Sequence, residues 1–207
     1  MKKLIIFDMD GTLVNSGYAI VETINYVREH LKLDKLPKDL ILERVNDPNV
    51  NSAEFFYGVK EFSSIHINLF EEHYEKTCLK NLYVYEGIKE LLEDLSKKDF
   101  ILTVATNAYS DFAKKMLEHL DIKKYFPTIL GFDNVTKSKP SPQMFEKIIQ
   151  KHNIKKEDVL VVGDSKKDIM AAENAKVDSV LVNWGFSNHS KEKAIDTVKE
   201  LEEIIYA

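Results

Sequence analysis

The sequence predicts an α/β fold: a doubly wound parallel sheet with a helical domain inserted after its first strand. Three observations carry this. Short, apolar, β-branched runs recur along the chain, and apolar stripes of helical period lie between them. One connection, of about 90 residues, is far longer than any ordinary crossover.

The runs are Leu4 to Phe7, Ile101 to Ala105, Thr128 to Gly131, Val159 to Val162 and Val180 to Val182. Apolar throughout rather than alternating, they suit strands covered on both faces. Ile88, Leu91, Leu92 and Leu95 keep the spacing of one helical face, as do Phe112, Met116, Leu117 and Leu120. Met144, Phe145, Ile148 and Ile149 form a third stripe, opening at Ser141-Pro142, where a cap and a first-turn proline belong.

The long connection reads as helical. Ile20, Ile24, Val27 and Leu31 share a face, a second helix begins near Pro37, a third near Ser52, and a fourth spans Ser64 to Lys80. Asp47-Pro48-Asn49 marks a turn between them. The division that follows is a core of residues 1–14 and 82–207 and a helical domain of residues 15–81.

Composition limits the partners. A formal net charge of -5, from 29 basic and 34 acidic residues, disfavours nucleic acid, which needs a basic stripe. A small anion is still admissible, because a pocket can be positive on an acidic protein. No apolar stretch approaches a membrane span. The basic start Lys2-Lys3 leads into an apolar run that stops at Asp8, too short for a secretory segment. The single cysteine, Cys78, allows no intrachain disulfide and fits a reducing, cytoplasmic setting. In that setting the glycosylation patterns at Asn134-Val135-Thr136 and Asn188-His189-Ser190 carry no weight.

Four motifs carry chemistry. Asp8-Met9-Asp10-Gly11-Thr12-Leu13 follows the first strand, where open α/β sheets bind ligands. Two residues apart on extended backbone, Asp8 and Asp10 point the same way, and paired carboxylates need a proton or a cation between them. With no His or Cys nearby, a hard oxygen-binding ion such as magnesium fits. Gly163-Asp164-Ser165-Lys166-Lys167-Asp168 follows a later strand, with Asp164 at its end and Asp168 in the first turn of the next helix. Thr106-Asn107 offers a hydroxyl, an amide and free backbone N–H groups to phosphate oxygens. Lys139 precedes Pro140, as in a rigid turn rather than a helix, and balances negative charge. Individually, a turn cap or a solvated loop explains each motif; four in order at strand ends are harder to explain that way.

In this order and at these strand ends, the motifs resemble the haloacid dehalogenase superfamily, and the resemblance spans essentially the whole chain. It implies a Rossmann-like core with an inserted helical cap, as in phosphoglycolate phosphatase and β-phosphoglucomutase relatives. It further implies that Asp8 is the nucleophile and Asp10 the general acid and base. Asp8, the Asp10 backbone carbonyl and Asp164 would hold Mg2+, with Asp168 beside them. Thr106, Asn107 and Lys139 would bind phosphate. The implied activity is hydrolysis of a small phosphorylated metabolite by a monomer or homodimer.

An acid at position 10 favours phosphate esters over carbon–halogen or carbon–phosphorus bonds. The core residues do not separate a phosphatase from a sugar-phosphate mutase, although Thr12-Leu13 leans toward the former. A non-catalytic binding protein is disfavoured because the acids, Thr106 and Lys139 are all present. The chain departs from the family pattern in having Asn15-Ser16 for Asp-Ser, with Ser16 still able to cap the first cap helix. It also has Glu86-Gly87 for Pro-Gly, and no glycine around Arg44 to Asn51. Arg44, Tyr57 and Lys60 read as surface or packing residues, His66 and His73 as a solvated helix face, and Trp184 and Cys78 as core or rim.

Overall fold

A computed structural model describes residues 2–187, 189 and 193–207; Asn188 and Ser190 of the second glycosylation pattern lie outside the described residues. The sheet is β1 (Leu4–Phe7), β4 (Ile101–Ala105), β5 (Thr128–Leu130), β6 (Val159–Gly163) and β7 (Asp178–Leu181), in the order β5-β4-β1-β6-β7 and parallel throughout. The doubly wound fold predicted from the strand runs is therefore what forms.

The sheet is wound on both faces because β1 is apolar at every position. Leu4, Ile5, Ile6 and Phe7 are all fully buried. Alternation along the strand sends Ile5 and Phe7 into one cluster with Leu92, Leu95, Met116 and Leu117. These come from α5 (Ile88–Lys97) and α6 (Ser110–His119). Leu4 and Ile6 enter the other cluster with Phe145, Ile148, Ala171 and Ala172, from α7 (Gln143–His152) and α8 (Lys166–Ala175). Truncating any of the four to alanine is expected to cost about 2–5 kcal/mol. A last helix, α9 (Val198–Tyr206), adds Leu201 and Ile205 to the first cluster.

The long connection holds α1 (Gly17–His30), α2 (Lys38–Val45), α3 (Ser52–Tyr57) and α4 (Ser64–Thr77). They share an apolar cluster that includes Val21, Ile24, Val27, Ile41 and Phe56. The chain leaves and re-enters the sheet region through a two-stranded antiparallel ribbon, β2 (Val14–Asn15) against β3 (Tyr83–Val84). Two-residue strands carry no periodic signal, so the sequence does not announce them.

Four elements end differently from the sequence reading. β5 stops at Leu130 rather than Gly131, and β6 runs on to Gly163 rather than Val162. β7 covers Asp178–Leu181 rather than Val180 to Val182, because it is an edge strand whose first residues are partly open to water. The fourth helix ends at Thr77 rather than Lys80, where Lys80 N–H donates to Thr77 in a tight turn.

Candidate active site

The strand order places β1 between β4 and β6, so the chain runs outward in one direction from β1 and later in the other. A crevice opens at the carboxyl ends of strands where such a reversal occurs. Asp8 and Asp10 follow β1 there, Thr106 and Asn107 follow β4, and Asp164 follows β6. The Asp8 N–H still bonds to Val162, which carries the sheet ladder one step beyond the strand. The chain then turns sharply at Gly11, with φ +86°, and a Cβ there would lie 2.2 Å from Asp164 Oδ2. Glycine thus lets the two acidic loops meet.

Lys139 is buried beneath this crevice. Its Nζ donates to Asp8 Oδ1 at 2.6 Å, to Asp168 Oδ1 at 2.6 Å and to the Ala105 carbonyl at 2.7 Å, which uses all three ammonium hydrogens. Asn107 fixes the lysine backbone reciprocally: its amide donates to the Lys139 carbonyl at 3.0 Å and its carbonyl accepts the Lys139 N–H at 3.1 Å. The Lys139-Pro140 peptide is cis. Asp168 has its other oxygen engaged by the Ser165 N–H and hydroxyl, a capping box that starts α8 and holds the carboxylate in place.

Asp8, Asp164 and Asp168 each present a carboxylate oxygen, and these oxygens lie within 4.8 Å of one another. All three residues are buried. Asp164 accepts the Phe186 N–H at 2.9 Å. Three buried acids stand against one ammonium, which bonds Asp8 and Asp168 but not Asp164, and a donor set of oxygens alone suits a hard divalent cation. The residues present therefore fit a magnesium ion.

The Asp10 carboxyl is held apart from that cluster. Ser16 Oγ donates to one of its oxygens, and Thr106 Oγ1 approaches the other at 3.4 Å. The sequence reading gave Ser16 to the cap of α1. In the structure its side chain makes no cap hydrogen bond: its rotamer turns the hydroxyl to donate to the Asp10 carboxylate, and its oxygen takes up no first-turn N–H.

Burial pushes the Asp8 carboxyl up to about 7, with Lys139 opposing the rise and Asp168 and Asp10 adding to it. Burial likewise raises Asp10, against the hydrogen bond from Ser16, and raises Asp164 well above the usual range, with Asp8 and Asp168 adding. Burial favours the neutral amine of Lys139, yet the charges of Asp168 and Asp8 outweigh it and hold that pKa above the ordinary lysine value.

A cavity of about 190 Å³ sits over these groups, and Asp8, Asp10, Thr106, Asn107 and Lys139 line it. Asp164 and Asp168 stand behind them. The structure thus brings every candidate residue to one place. It also adds two residues the sequence reading did not single out, Lys167 and Asn46, and gives Trp184, read as core or rim, a specific bond. Lys167 lines the cavity and donates to the Val45 carbonyl at 3.0 Å. Asn46, just past α2, also lines it and donates to Asp164. Trp184 Nε1 donates to the Thr12 carbonyl at 3.1 Å. Only the tertiary approach of distant segments reveals these contacts.

The remaining candidates do not line the cavity, and the two histidines are not the solvated face the sequence predicts: His66 is buried and His73 half-buried. Tyr57 is in the insert's apolar cluster, and Arg44 pairs with Asp47 at 3.2 Å. Lys60 is exposed. His66 closes a capping box with Ser63, and His73 stacks on Tyr26 and bonds to Thr23 at 2.9 Å. Cys78 is fully buried.

Comparison with known proteins matches residues 5–182 to the family model for haloacid dehalogenase-like hydrolases. The chain is 30% identical to a phosphoglycolate phosphatase from Vibrio parahaemolyticus, over 98% of this chain and 96% of that protein. It is 31% identical to a phosphoglycolate phosphatase from Aquifex aeolicus, over 89% and 86% respectively. Among solved structures it resembles a predicted phosphoglycolate phosphatase from Haemophilus somnus, with TM-score 0.82, 29% identity, and coverage of 98% of this chain and 97% of the other.

Proposed function

We propose that this chain, which belongs to the haloacid dehalogenase-like hydrolase family, is a magnesium-dependent phosphatase that hydrolyses a small phosphate monoester through an aspartyl-phosphate on Asp8. One observation carries this reading: two neighbouring carboxylates are given opposite settings. Asp8 is bonded to the Lys139 ammonium and belongs to the acid cluster, where that ammonium and a bound cation would oppose the rise caused by burial and keep a nucleophile ionised. Asp10 is set apart from the ammonium, between the Ser16 and Thr106 hydroxyls, where its carboxyl is left to carry a proton; burial raises both acids, so the contrast lies in their partners.

In the first step an Asp8 oxygen attacks phosphorus, the ester P–O bond breaks, and Asp10 gives its proton to the departing alcohol. In the second, Asp10 takes a proton from water, the water oxygen attacks phosphorus, and the acyl–phosphate bond breaks to release inorganic phosphate and free Asp8. Lys139 offsets charge on Asp8 throughout, and Thr106 and Asn107, which line the cavity, are assigned to donate to the phosphoryl oxygens. A magnesium ion held by Asp8, the Asp10 backbone carbonyl and Asp164 would supply the rest of the charge neutralisation.

Residues 15–81 are assigned the role of a cap over the cavity, on the strength of Val45 and Asn46 reaching Lys167 and Asp164. The single buried cysteine supports a cytoplasmic setting. Among the described residues, no helix is long and apolar enough to cross a membrane.

The test is phosphate release from a panel of monoesters, phosphoglycolate and hexose phosphates included, with and without magnesium and with Asp8→Asn as control. Magnesium-dependent release that the variant abolishes is the expected result. Release by Asp8→Asn at the parent rate would sink the mechanism. Conversion of a hexose phosphate to its isomer without phosphate release would favour the mutase.

A further inference from the structure

The apolar part of the cavity is walled by Ile20 and Ile24 of α1, Phe70 and Tyr74 of α4, Tyr109 at the N-cap of α6, and Phe112 of α6. The rings form one connected run. Phe70 stacks on Tyr74 at 5.4 Å and 16°, Tyr74 meets Phe112 edge-on at 5.2 Å, and Phe112 meets Tyr109 edge-on at 5.9 Å. The run crosses from the insert to the sheet domain, so both sides of the cavity contribute apolar surface. Its hydroxyls are turned to other work. Tyr74 Oη donates to Met116 Sδ at 3.7 Å and also faces Ser16, beside Asp10, and the Tyr109 hydroxyl faces Glu71.

The cations that line the cavity are at its other end. Lys139 is committed to Asp8, Asp168 and Ala105. Lys167 is next to Asp168 in the chain, bonds to Val45, and feels the charges of Asp168 and Lys139. A carboxylate or a ring of hydroxyls laid on the aromatic wall would lose water without gaining donors, a loss of about 1–3 kcal/mol per group. An apolar body there would gain contact area. A volume of about 190 Å³ limits that body to a short chain or a single ring.

We infer that the substrate is the phosphate ester of an uncharged alcohol with a small apolar or aromatic body, in preference to esters whose alcohol carries a carboxylate or several hydroxyls. This inference rests on the phosphatase reading and narrows it.

The experiment compares kcat/KM of the full chain, with magnesium, for benzyl and butyl phosphate against phosphoglycolate, glycerol 3-phosphate and glucose 6-phosphate. All have alkoxide leaving groups, so recognition is separated from leaving-group activation. Acetyl phosphate reports bare phosphoryl transfer. The expected result is a preference of at least roughly tenfold for benzyl phosphate over phosphoglycolate. Phe112→Ala should reduce that ratio about tenfold, chiefly through KM, while Phe112→Leu retains most of it. Thermal melting of both variants checks that they fold; if the alanine variant does not, the parent ratio and the leucine variant decide. Equal turnover, or preference for phosphoglycolate, overturns the inference and leaves the phosphatase reading intact. No phosphate from any compound, acetyl phosphate included, removes both.

Discussion

The side-chain amide of Asn46 lies 3.4 Å and 3.3 Å from the two carboxylate oxygens of Asp164, a residue 118 positions away. Together with the Val45–Lys167 bond, it ties the end of α2 to the carboxyl-terminal edge of the sheet. Both amide bonds are long, so their net worth is at most about 1 kcal/mol. They hold a posture rather than the fold. Asn46→Ala is expected to keep its melting temperature within about 4 °C of the parent. Backbone hydrogen exchange across residues 41–47, followed by mass spectrometry, should accelerate. Unchanged exchange there would mean that the contact does not restrain the insert.

Lys139 should be the least replaceable side chain of the site. It is 5% exposed and bonded to two buried carboxylates and a carbonyl. Removing the ammonium leaves Asp8 and Asp168 facing each other without compensation. Lys139→Ala is therefore expected to lose about 3–5 kcal/mol of folding stability, read from denaturant unfolding, as well as all activity. A loss below about 1 kcal/mol would show that water or another cation takes its place.

The acids and Thr106 were legible because the fold does the positioning, whereas Lys139, well past β5, was legible only through its place in the four-motif pattern. Once Leu4 to Phe7, Ile101 to Ala105 and Val159 to Val162 read as neighbouring buried strands, the residues after them must meet at one edge. Asn46 and Lys167 were not legible, since an asparagine in a turn and a lysine in a first helical turn are ordinary solvated residues by sequence. Their roles depend on where the insert lies. Ser16 was legible as a polar residue at a helix start, where its oxygen would accept a first-turn backbone N–H. In the fold its hydroxyl instead donates to the Asp10 carboxylate, a contact that local sequence does not show.

Gly185 permits a test of Asp164 placement without touching the acid itself. A Cβ at Gly185 would lie 2.4 Å from Asp164 Oδ2 and 2.4 Å from the Gly11 carbonyl, at a backbone conformation any residue adopts. Any defect in Gly185→Ala thus comes from crowding and not from φ. Displacing Asp164 by even part of an ångström should reduce kcat/KM on the order of a hundredfold. Steady-state kinetics with a magnesium titration checks this, because a displaced ligand should also raise the magnesium concentration needed for half-maximal rate. Parent-like kinetics would place Asp164 outside the working site.

The acid cluster predicts a link between metal, pH and stability. Burial raises Asp8 from 3.8 to about 7, so the folded chain binds its proton more tightly than the unfolded chain does. The stability gained from that proton is fully present below pH 3.8 and is lost as pH rises through about 7. Asp164 is raised in the same direction, by burial and by its acidic neighbours. Above neutrality, then, the metal-free fold carries ionised carboxylates that repel one another. A dication held by them relieves this repulsion, and it competes with protons at lower pH. Magnesium at a hundred times its Kd contributes about 2.7 kcal/mol, which for a chain of this length raises the melting temperature by roughly 5–10 °C. The rise is expected to be larger near pH 8 than near pH 5.5, and Asp164→Asn should remove most of it. Calorimetry of the metal-stripped protein with and without magnesium measures the effect independently of turnover. Equal shifts at both pH values, or a full shift in Asp164→Asn, would mean that magnesium binds elsewhere on the chain.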